Sequence, residues 1–212
     1  MGFLSVLSFA HKLAGERLAP GDAAVDATAG TGADTLFLAK ACGPKGRVFA
    51  FDIQPQALAL TRARLDKEPA DSIAGVTLLQ ASHADMAAAL PADAHGRLGA
   101  VMFNLGYLPA EGADPALITR PDSTLPALEA GLSLLRPRGI LTAVLYPGHP
   151  GGEAEAAAVE AWGGPGSPLP RGKRSSTGSR KDRLRRIWSR SRRNKNQQII
   201  PVGGHRYGDS QD

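Results

Sequence analysis

Residues 23–35 read AAVDATAGTGADT, and this short stretch already carries the outline of the fold. Three apolar residues lead into Asp26, which is typical of a short buried strand. Gly30 and Gly32 then allow a tight turn and bring backbone N–H groups close to a bound ligand. The stretch therefore predicts a strand, a glycine-rich loop and the start of a helix, with a ligand at the loop.

The same alternation of short apolar runs and helical stretches continues to residue 162. The predicted strands are 23–26, 47–52, 76–80, 100–104 and 140–145. The predicted helices are 34–41, 55–65, 84–90, 124–135 and 153–162. Strands separated by helices of this length form right-handed crossovers, so the predicted fold class is α/β with a mostly parallel, doubly wound sheet. Such a sheet binds its ligands beyond the carboxyl ends of the strands.

Two carboxylates indicate the kind of ligand. Asp52 ends the second strand, 20 residues after Gly32, where a carboxylate accepts hydrogen bonds from the two hydroxyls of a ribose. Asp26, just before the loop, would repel a pyrophosphate and attract the cationic amino-acid end of S-adenosylmethionine. Thr35 stands where a dinucleotide-binding loop prefers its third glycine. These features favour S-adenosyl-L-methionine as the cofactor, with a nicotinamide dinucleotide and a dehydrogenase as the alternative.

Further polar side chains follow the third, fourth and fifth strands. Residues 104–107 read NLGY, a variant of the Asn-Pro-Pro-Tyr tetrad that amino-group methyltransferases often carry. An amine nucleophile needs hydrogen-bond acceptors and an aromatic wall, so we assign Asn104 and Tyr107 to the substrate. His149 is a candidate proton acceptor near neutral pH, and His83 lies where methyltransferases contact adenine. For both histidines an exposed loop position is the alternative, and no cluster with metal-ligand spacing accompanies them.

The composition is that of an ordinary globular protein, with 212 residues, 42% of them hydrophobic and 21% charged. No apolar run approaches the roughly 18 residues of a membrane span. The single cysteine, Cys42, excludes an intramolecular disulfide framework. Apolar residues between Phe3 and Leu18 follow helical spacing and lack the basic start of a signal peptide, which predicts an amphipathic helix laid against the domain. We therefore expect a cytoplasmic protein without membrane contact.

Residues 1–162 resemble the small bacterial class I methyltransferases that were first labelled rRNA methylases and are now associated with the tRNA wobble uridine. The matching pieces are residues 25–32, 34–36, 49–54, 102–109, 118–121, 124, 127–128 and 146–152. The resemblance implies a Rossmann-like fold, S-adenosylmethionine as methyl donor and the aminomethyl group of 5-aminomethyl-2-thiouridine in tRNA as acceptor. It supports cofactor-side roles for Asp26, Gly30, Asp52 and His83, and substrate-side roles for Asn104, Tyr107 and His149. To the cofactor side we add neighbours from the same pieces: Thr28, Gly32, Asp34, Thr35 and Gln54.

The chain departs from this family after Trp162. Residues 1–163 hold 12 Lys and Arg against 17 Asp and Glu, a net charge of −5, whereas residues 164–212 hold 13 against 3, a net charge of +10. The family continues into two more strands, so we expect the last strand hairpin to be missing or replaced and the edge of the fifth strand to be unpaired. Residues 163–212 are predicted to be a disordered, basic, low-complexity tail, because they hold few large apolar side chains.

Two explanations of this tail stay open. It is either a basic arm that engages RNA phosphates or the product of a shifted reading frame in the gene.

The leading functional prediction is an N-methyltransferase that acts on tRNA. The alternatives are a methyltransferase for rRNA or a small amine, and a non-catalytic RNA-binding protein with a basic tail. The oligomeric state is open, with a homodimer among the options.

Overall fold

The computed structural model describes residues 5–111, 114, 116–163 and 198–203. The helices are α1 Val6–Gly15, α2 Ala33–Cys42, α3 Pro55–Leu65, α4 Met86–Ala89, α5 Pro121–Leu134 and α6 Gly152–Gly163. The strands are β1 Ala23–Asp26, β2 Arg47–Asp52, β3 Gly75–Gln80, β4 Leu98–Leu105, β5 Leu135–Leu145 and β6 Gln198–Gly203. Short 3₁₀ turns at His83–Asp85 and Ala92–Ala94 flank α4. Within this part of the chain, no helix combines the length and the apolar character needed to cross a bilayer.

The strands form one sheet in the order β3-β2-β1-β4-β5-β6. The first five strands are mutually parallel, and β6 runs antiparallel beside β5. The chain moves outward from β1 to β3 and then returns to place β4 on the other side of β1. The carboxyl ends of β1 and β4 therefore flank the switch point at which doubly wound sheets bind ligands. The predicted α/β class is confirmed.

An apolar layer covers each face of the sheet. Along β4, Val101 and Phe103 belong to the layer under α4, α5 and α6, whereas Ala100 and Met102 belong to the layer under α1 and α2. This division follows from the two-residue period of a strand. Because both faces are buried, the parallel strands have near-continuous apolar sequences, which is why they were visible in the sequence.

The predicted amino-terminal helix is present as α1. Ser5 caps it, because its side-chain oxygen accepts a hydrogen bond from the backbone N–H of Ser8 at 3.0 Å. Ala10 and Ala14 have no exposed surface, and these small side chains allow α1 to lie close to the sheet. His11 stacks on Phe37 of α2, with ring centroids 4.2 Å apart and planes 3° from parallel.

Two elements, α5 and β5, begin three or more residues earlier than predicted. α5 begins at Pro121 rather than at residue 124, because proline at the first helical position lacks only an N–H that would have had no partner in the helix. β5 begins at Leu135 rather than at residue 140. Arg138, inside this early part, has a φ of 67°, and the pairing with β4 shifts register there. This local irregularity interrupts the apolar pattern and hid the first half of β5.

The predicted unpaired edge of β5 is wrong. Residues 198–203 form β6, which pairs with β5 from Leu145↔Gln198 to Ile140↔Gly203. Two isoleucines and a valine in QIIPVG favour a strand, and Pro201 is tolerated on an outer strand, where its missing N–H is not needed. The prediction of disorder over 163–212 does not hold for these six residues, whose pattern was lost in the basic composition around them. Residues 164–197 and 204–212 lie outside the described residues.

Gly32 stands where the backbone and the packing both require glycine. Its φ is +79°, and a Cβ at this position would lie 2.8 Å from the Cα of Thr61 in α3. The start of α2 therefore packs against the backbone of α3. Two further bonds hold the loop on α3: Arg64 Nε donates to the carbonyl of Thr31 at 2.7 Å, and Thr61 Oγ1 donates to the carbonyl of Gly30 at 3.3 Å.

We expect Gly32→Ala to lower the free energy of unfolding by about 1–3 kcal/mol, because the methyl group meets backbone atoms and the residue must keep a left-handed conformation. Urea unfolding measures the change. Gly75→Ala is the matched control, since nothing lies within 4 Å of a Cβ built there; its effect should stay within about 0.5 kcal/mol. Equal effects of the two substitutions would contradict the packing argument.

Candidate active site

Asp26 lies at the carboxyl end of β1 and has no exposed surface. One carboxylate oxygen accepts the hydroxyl of Thr35 at 2.6 Å, and the other accepts the backbone N–H of Thr28 at 3.1 Å. Burial and the nearby Asp34 carboxylate raise the pKa of Asp26 to about 7, against the two hydrogen bonds, which favour the charged form. The site therefore holds a buried acid whose ionised form a cationic ligand would stabilise.

Asp52 closes the glycine-rich loop from the end of β2. Its carboxylate accepts the N–H of Gly30 at 3.0 Å through one oxygen and the N–H of Gln54 at 2.9 Å through the other. Each oxygen keeps a second acceptor position, which is what two ribose hydroxyls require. The side-chain oxygen of Gln54, two residues further on, is buried and has no hydrogen-bond partner among the residues described, so it is an unused acceptor. Gly30 has a φ of 52°, which favours glycine at this bend.

His83 follows β3 and is buried, contrary to the alternative of an exposed loop histidine. Its Nδ1 lies 3.3 Å from the carbonyl oxygen of Ala27. Because a carbonyl only accepts, Nδ1 carries the proton and the neutral ring leaves Nε2 as an acceptor. Burial lowers the pKa of His83, and the ring meets Phe103 edge-on at 5.8 Å between centroids. His83 thus places a neutral, aromatic ring beside the glycine-rich loop.

Asn104, at the end of β4, connects the cofactor-side residues to the predicted substrate side. Its backbone N–H donates to the Thr28 hydroxyl oxygen at 2.7 Å. Its side-chain oxygen is buried and has no hydrogen-bond partner within the part of the chain that the structure describes. Tyr146 follows β5; burial and, after it, the Asp34 carboxylate raise the pKa of Tyr146, against the neighbouring Asn104 side chain, which lowers it. An unused carbonyl oxygen therefore lies directly beside the glycine-rich loop.

Tyr107 and His149, both predicted to lie on the substrate side, are in contact. Tyr107 is 53% exposed, and its ring meets that of His149 edge-on at 5.6 Å between centroids and 80° between planes. His149 Nδ1 is 3.0 Å from the carbonyl oxygen of Pro150, so Nδ1 carries the proton and Nε2 is the acceptor. His149 Nε2 is buried, and no described residue forms a hydrogen bond with it. The pair forms a wall with an aromatic face and a free basic nitrogen.

Two residues predicted to contact the cofactor, Asp34 and Gly32, also have structural partners within the domain. The Asp34 carboxylate is 2.5 Å from Nε2 of His11, which ties α2 to α1. Gly32 serves the packing against α3 described above. His11 and Tyr146 were missing from the predicted site. Tyr146 belongs to the same run as His149 and was within reach of the sequence argument, whereas the partner of His11 depends on how α1 lies on the domain. Among the described residues, no group of three or more His, Cys, Asp and Glu is arranged to hold a metal ion.

A family model described as "Putative rRNA methylase" matches residues 48–165, more than half of the chain. The chain belongs to this rRNA methylase family. The matched region contains Asp52, His83, Asn104 and His149 and begins after the glycine-rich loop. The family predicted from the sequence is confirmed.

A relative in Arabidopsis thaliana, named tRNA (mnm(5)s(2)U34)-methyltransferase, chloroplastic, is 39% identical over 160 residues. The match covers 73% of this chain and 57% of the relative, so the chain spans little more than half the length of that protein. A crystal structure titled as a "putative rRNA-methylase" from Clostridium thermocellum is 39% identical, with a TM-score of 0.69 over 76% of this chain and 83% of the other.

A structure from Streptococcus mutans, titled as "a putative methyltransferase" in complex with SAH, matches 95% of this chain and 99% of the other with a TM-score of 0.68. At 24% identity this likeness shows the fold alone. The rRNA methylase domain described here thus shares the Rossmann-like fold of methyltransferases, as the sequence predicted.

The raised pKa of Asp26 has a consequence for stability. The native state keeps a proton on Asp26 that the unfolded chain loses above its ordinary pKa of 3.8, so this residue's contribution to stability falls between about pH 4 and pH 7. Asp26→Asn removes that loss. We expect its stability relative to the wild type to rise across this range, by up to a few kcal/mol, and to level off above about pH 7.

Urea unfolding from pH 4 to pH 8 measures this difference. Asp71→Asn is the control, because Asp71 is exposed. A stability difference for Asp26→Asn that does not depend on pH would contradict the buried acid.

Proposed function

We propose that this chain methylates the aminomethyl nitrogen of 5-aminomethyl-2-thiouridine at the tRNA wobble position, with S-adenosylmethionine as the donor. The observation that carries the proposal is Asn104: its backbone N–H is bonded to Thr28 of the glycine-rich loop, and its buried side-chain oxygen has no partner among the described residues. An acceptor atom at this place suits an amine N–H next to a methyl donor. The name of the Arabidopsis relative supports tRNA as the substrate.

The residues around the loop fit S-adenosylmethionine. Asp26 offers a buried carboxylate to the cationic amino-acid end, and Asp52 with Gln54 offers three oxygens to the ribose. His83 Nε2 offers an acceptor on the adenine side. When bound, this cofactor supplies an electrophilic methyl carbon on a sulfonium, which an amine nitrogen can attack.

The substrate-side residues prepare the amine. Asn104 Oδ1 accepts an N–H of the neutral amine and so directs its lone pair toward the methyl carbon, while Tyr107 holds the base. The nitrogen loses one proton when the new N–C bond forms and the S–C bond breaks. His149 Nε2, a free basic nitrogen beside Tyr107, accepts that proton.

Ribosomal RNA is the second candidate substrate, because the family description names it. The two substrates differ in the nucleophile, since only the modified tRNA carries an aminomethyl group. The predictions that the tail binds RNA, that the protein forms a homodimer and that it works in the cytoplasm stay proposals.

Incubation with labelled S-adenosylmethionine and tRNA that carries or lacks the aminomethyl group tests the acceptor. We expect label only on tRNA with the group. Equal labelling of both tRNAs, or labelling of rRNA alone, would contradict the proposed acceptor, and calorimetry that shows binding of NAD rather than S-adenosylhomocysteine would contradict the proposed donor.

Two substitutions separate the halves of the site. Asn104→Ala should reduce methyl transfer by about 100-fold because the amine loses its orientation, with the affinity for S-adenosylhomocysteine unchanged. Asp52→Ala should lose that affinity, measured by calorimetry, because the ribose loses its carboxylate. Ser133→Ala is the control, since Ser133 is exposed at the far end of α5. Loss of cofactor affinity in Asn104→Ala would refute its assignment to the substrate.

A further inference from the structure

Glu155 is a buried carboxylate that the proposed chemistry does not use. It lies in the first turn of α6 and is 2% exposed. Its two oxygens accept different hydroxyls: Oε2 accepts Thr119 Oγ1, and Oε1 accepts Thr124 Oγ1, both at 2.7 Å. A charged group is rarely buried without a specific arrangement of partners, so this one needs an explanation.

The two threonines come from opposite sides of a junction. Thr119 is the second-to-last residue of the long connection between β4 and α5, which starts at Gly106, and Thr124 lies in the first turn of α5. The Thr119 N–H donates to the carbonyl of Gly106 at 2.9 Å, and Tyr107 pairs with Ile118 in an antiparallel bridge. The Glu155 carboxylate therefore fastens the base of the segment that carries Tyr107.

The same turn of α6 also holds His149. The N–H of Gly152 donates to the carbonyl of His149 at 2.9 Å, and a Cβ on Gly152 would lie 2.9 Å from His149 Nε2. The N–H of Glu155 donates to the carbonyl of Gly151 at 3.1 Å. The first turn of α6 thus bonds the backbone of His149, lies against its ring at Gly152 and holds the Tyr107 segment through the Glu155 carboxylate.

We propose that Glu155 is a positioning residue for the acceptor. Through Thr119 it holds Tyr107 against His149 and so fixes the wall against which the nucleobase binds. A carboxylate suits this role because both of its oxygens accept, and two hydroxyls can donate to it at once. The first turn of a helix also favours a negative charge. The inference rests on the proposed methyl transfer and concerns the acceptor alone.

The test compares Glu155→Ala, Glu155→Gln and Thr119→Val in two measurements. Hydrogen exchange of peptides from residues 105–120 reports the segment itself and does not depend on activity. We expect faster exchange in Glu155→Ala and Thr119→Val, because the tie at Thr119 is lost. If Glu155→Ala does not fold, Thr119→Val still tests the inference, because it removes only a single hydroxyl.

Steady-state kinetics with the aminomethyl tRNA gives the second measurement. We expect Glu155→Ala and Thr119→Val to lower kcat/KM for tRNA by about tenfold to 100-fold, with the affinity for S-adenosylhomocysteine unchanged. Glu155→Gln should be intermediate, because an amide keeps one acceptor oxygen. Thr142→Val is the matched control, since the buried Thr142 hydroxyl has no hydrogen-bond partner in the described ranges, and it should resemble the wild type in both measurements.

Unchanged exchange in Thr119→Val would overturn the inference, and so would faster exchange with unchanged kcat/KM, which would leave Glu155 a purely structural role. A loss of cofactor affinity in Thr119→Val would overturn it too. A wild-type chain that transfers no methyl group contradicts the proposed function, and with it the positioning role, while the exchange data still show whether Glu155 holds the segment.

Discussion

Asp26 is buried at the end of β1 with neutral hydrogen-bond donors and two carboxylates, Asp34 and Asp52, as the charges that raise its pKa. A site of this kind resists ionisation until a positive charge arrives, because burial and like charges both disfavour the anion. The N–H groups of Thr28 and Gly30 point at Asp26 and Asp52 and favour their charged forms, so the loop is arranged to hold the anion once that positive charge is present. The fold thus prepares one sheet edge for a cationic ligand.

The proposed site is made of two parts that depend on different elements. β1, β2 and β3 carry the residues of the proposed cofactor side, mainly carboxylates and loop N–H groups, whereas the connection after β4 and the turn before α6 carry those of the proposed acceptor side. One hydrogen bond, from the Asn104 N–H to the Thr28 hydroxyl, joins them at the switch point of the sheet. A change of acceptor therefore requires changes in the second part only, with the binding of the donor preserved.

The sheet and the cofactor loop were predictable because each is written in a short stretch of chain. Strands buried on both faces have apolar sequences, and a turn at positive φ calls for glycine, as at Gly30. The roles of Gly32, Asp34 and Glu155 were not predictable, since their partners Thr61, His11 and Thr119 lie 23 to 36 residues away. Glu155 in particular has the sequence of a surface helix charge, in a first turn that also holds Glu153.

β6 shows that an edge strand places few requirements on its own amino-acid sequence. Its pairing with β5 is made by main-chain groups, and the side chains need only tolerate an extended backbone. A gene whose reading frame has shifted, or in which substitutions near the 3′ end have accumulated freely, could therefore still encode an edge strand for the sheet. Natural selection would then act on the backbone geometry of this edge strand, and its amino-acid sequence could diverge long before the fold did.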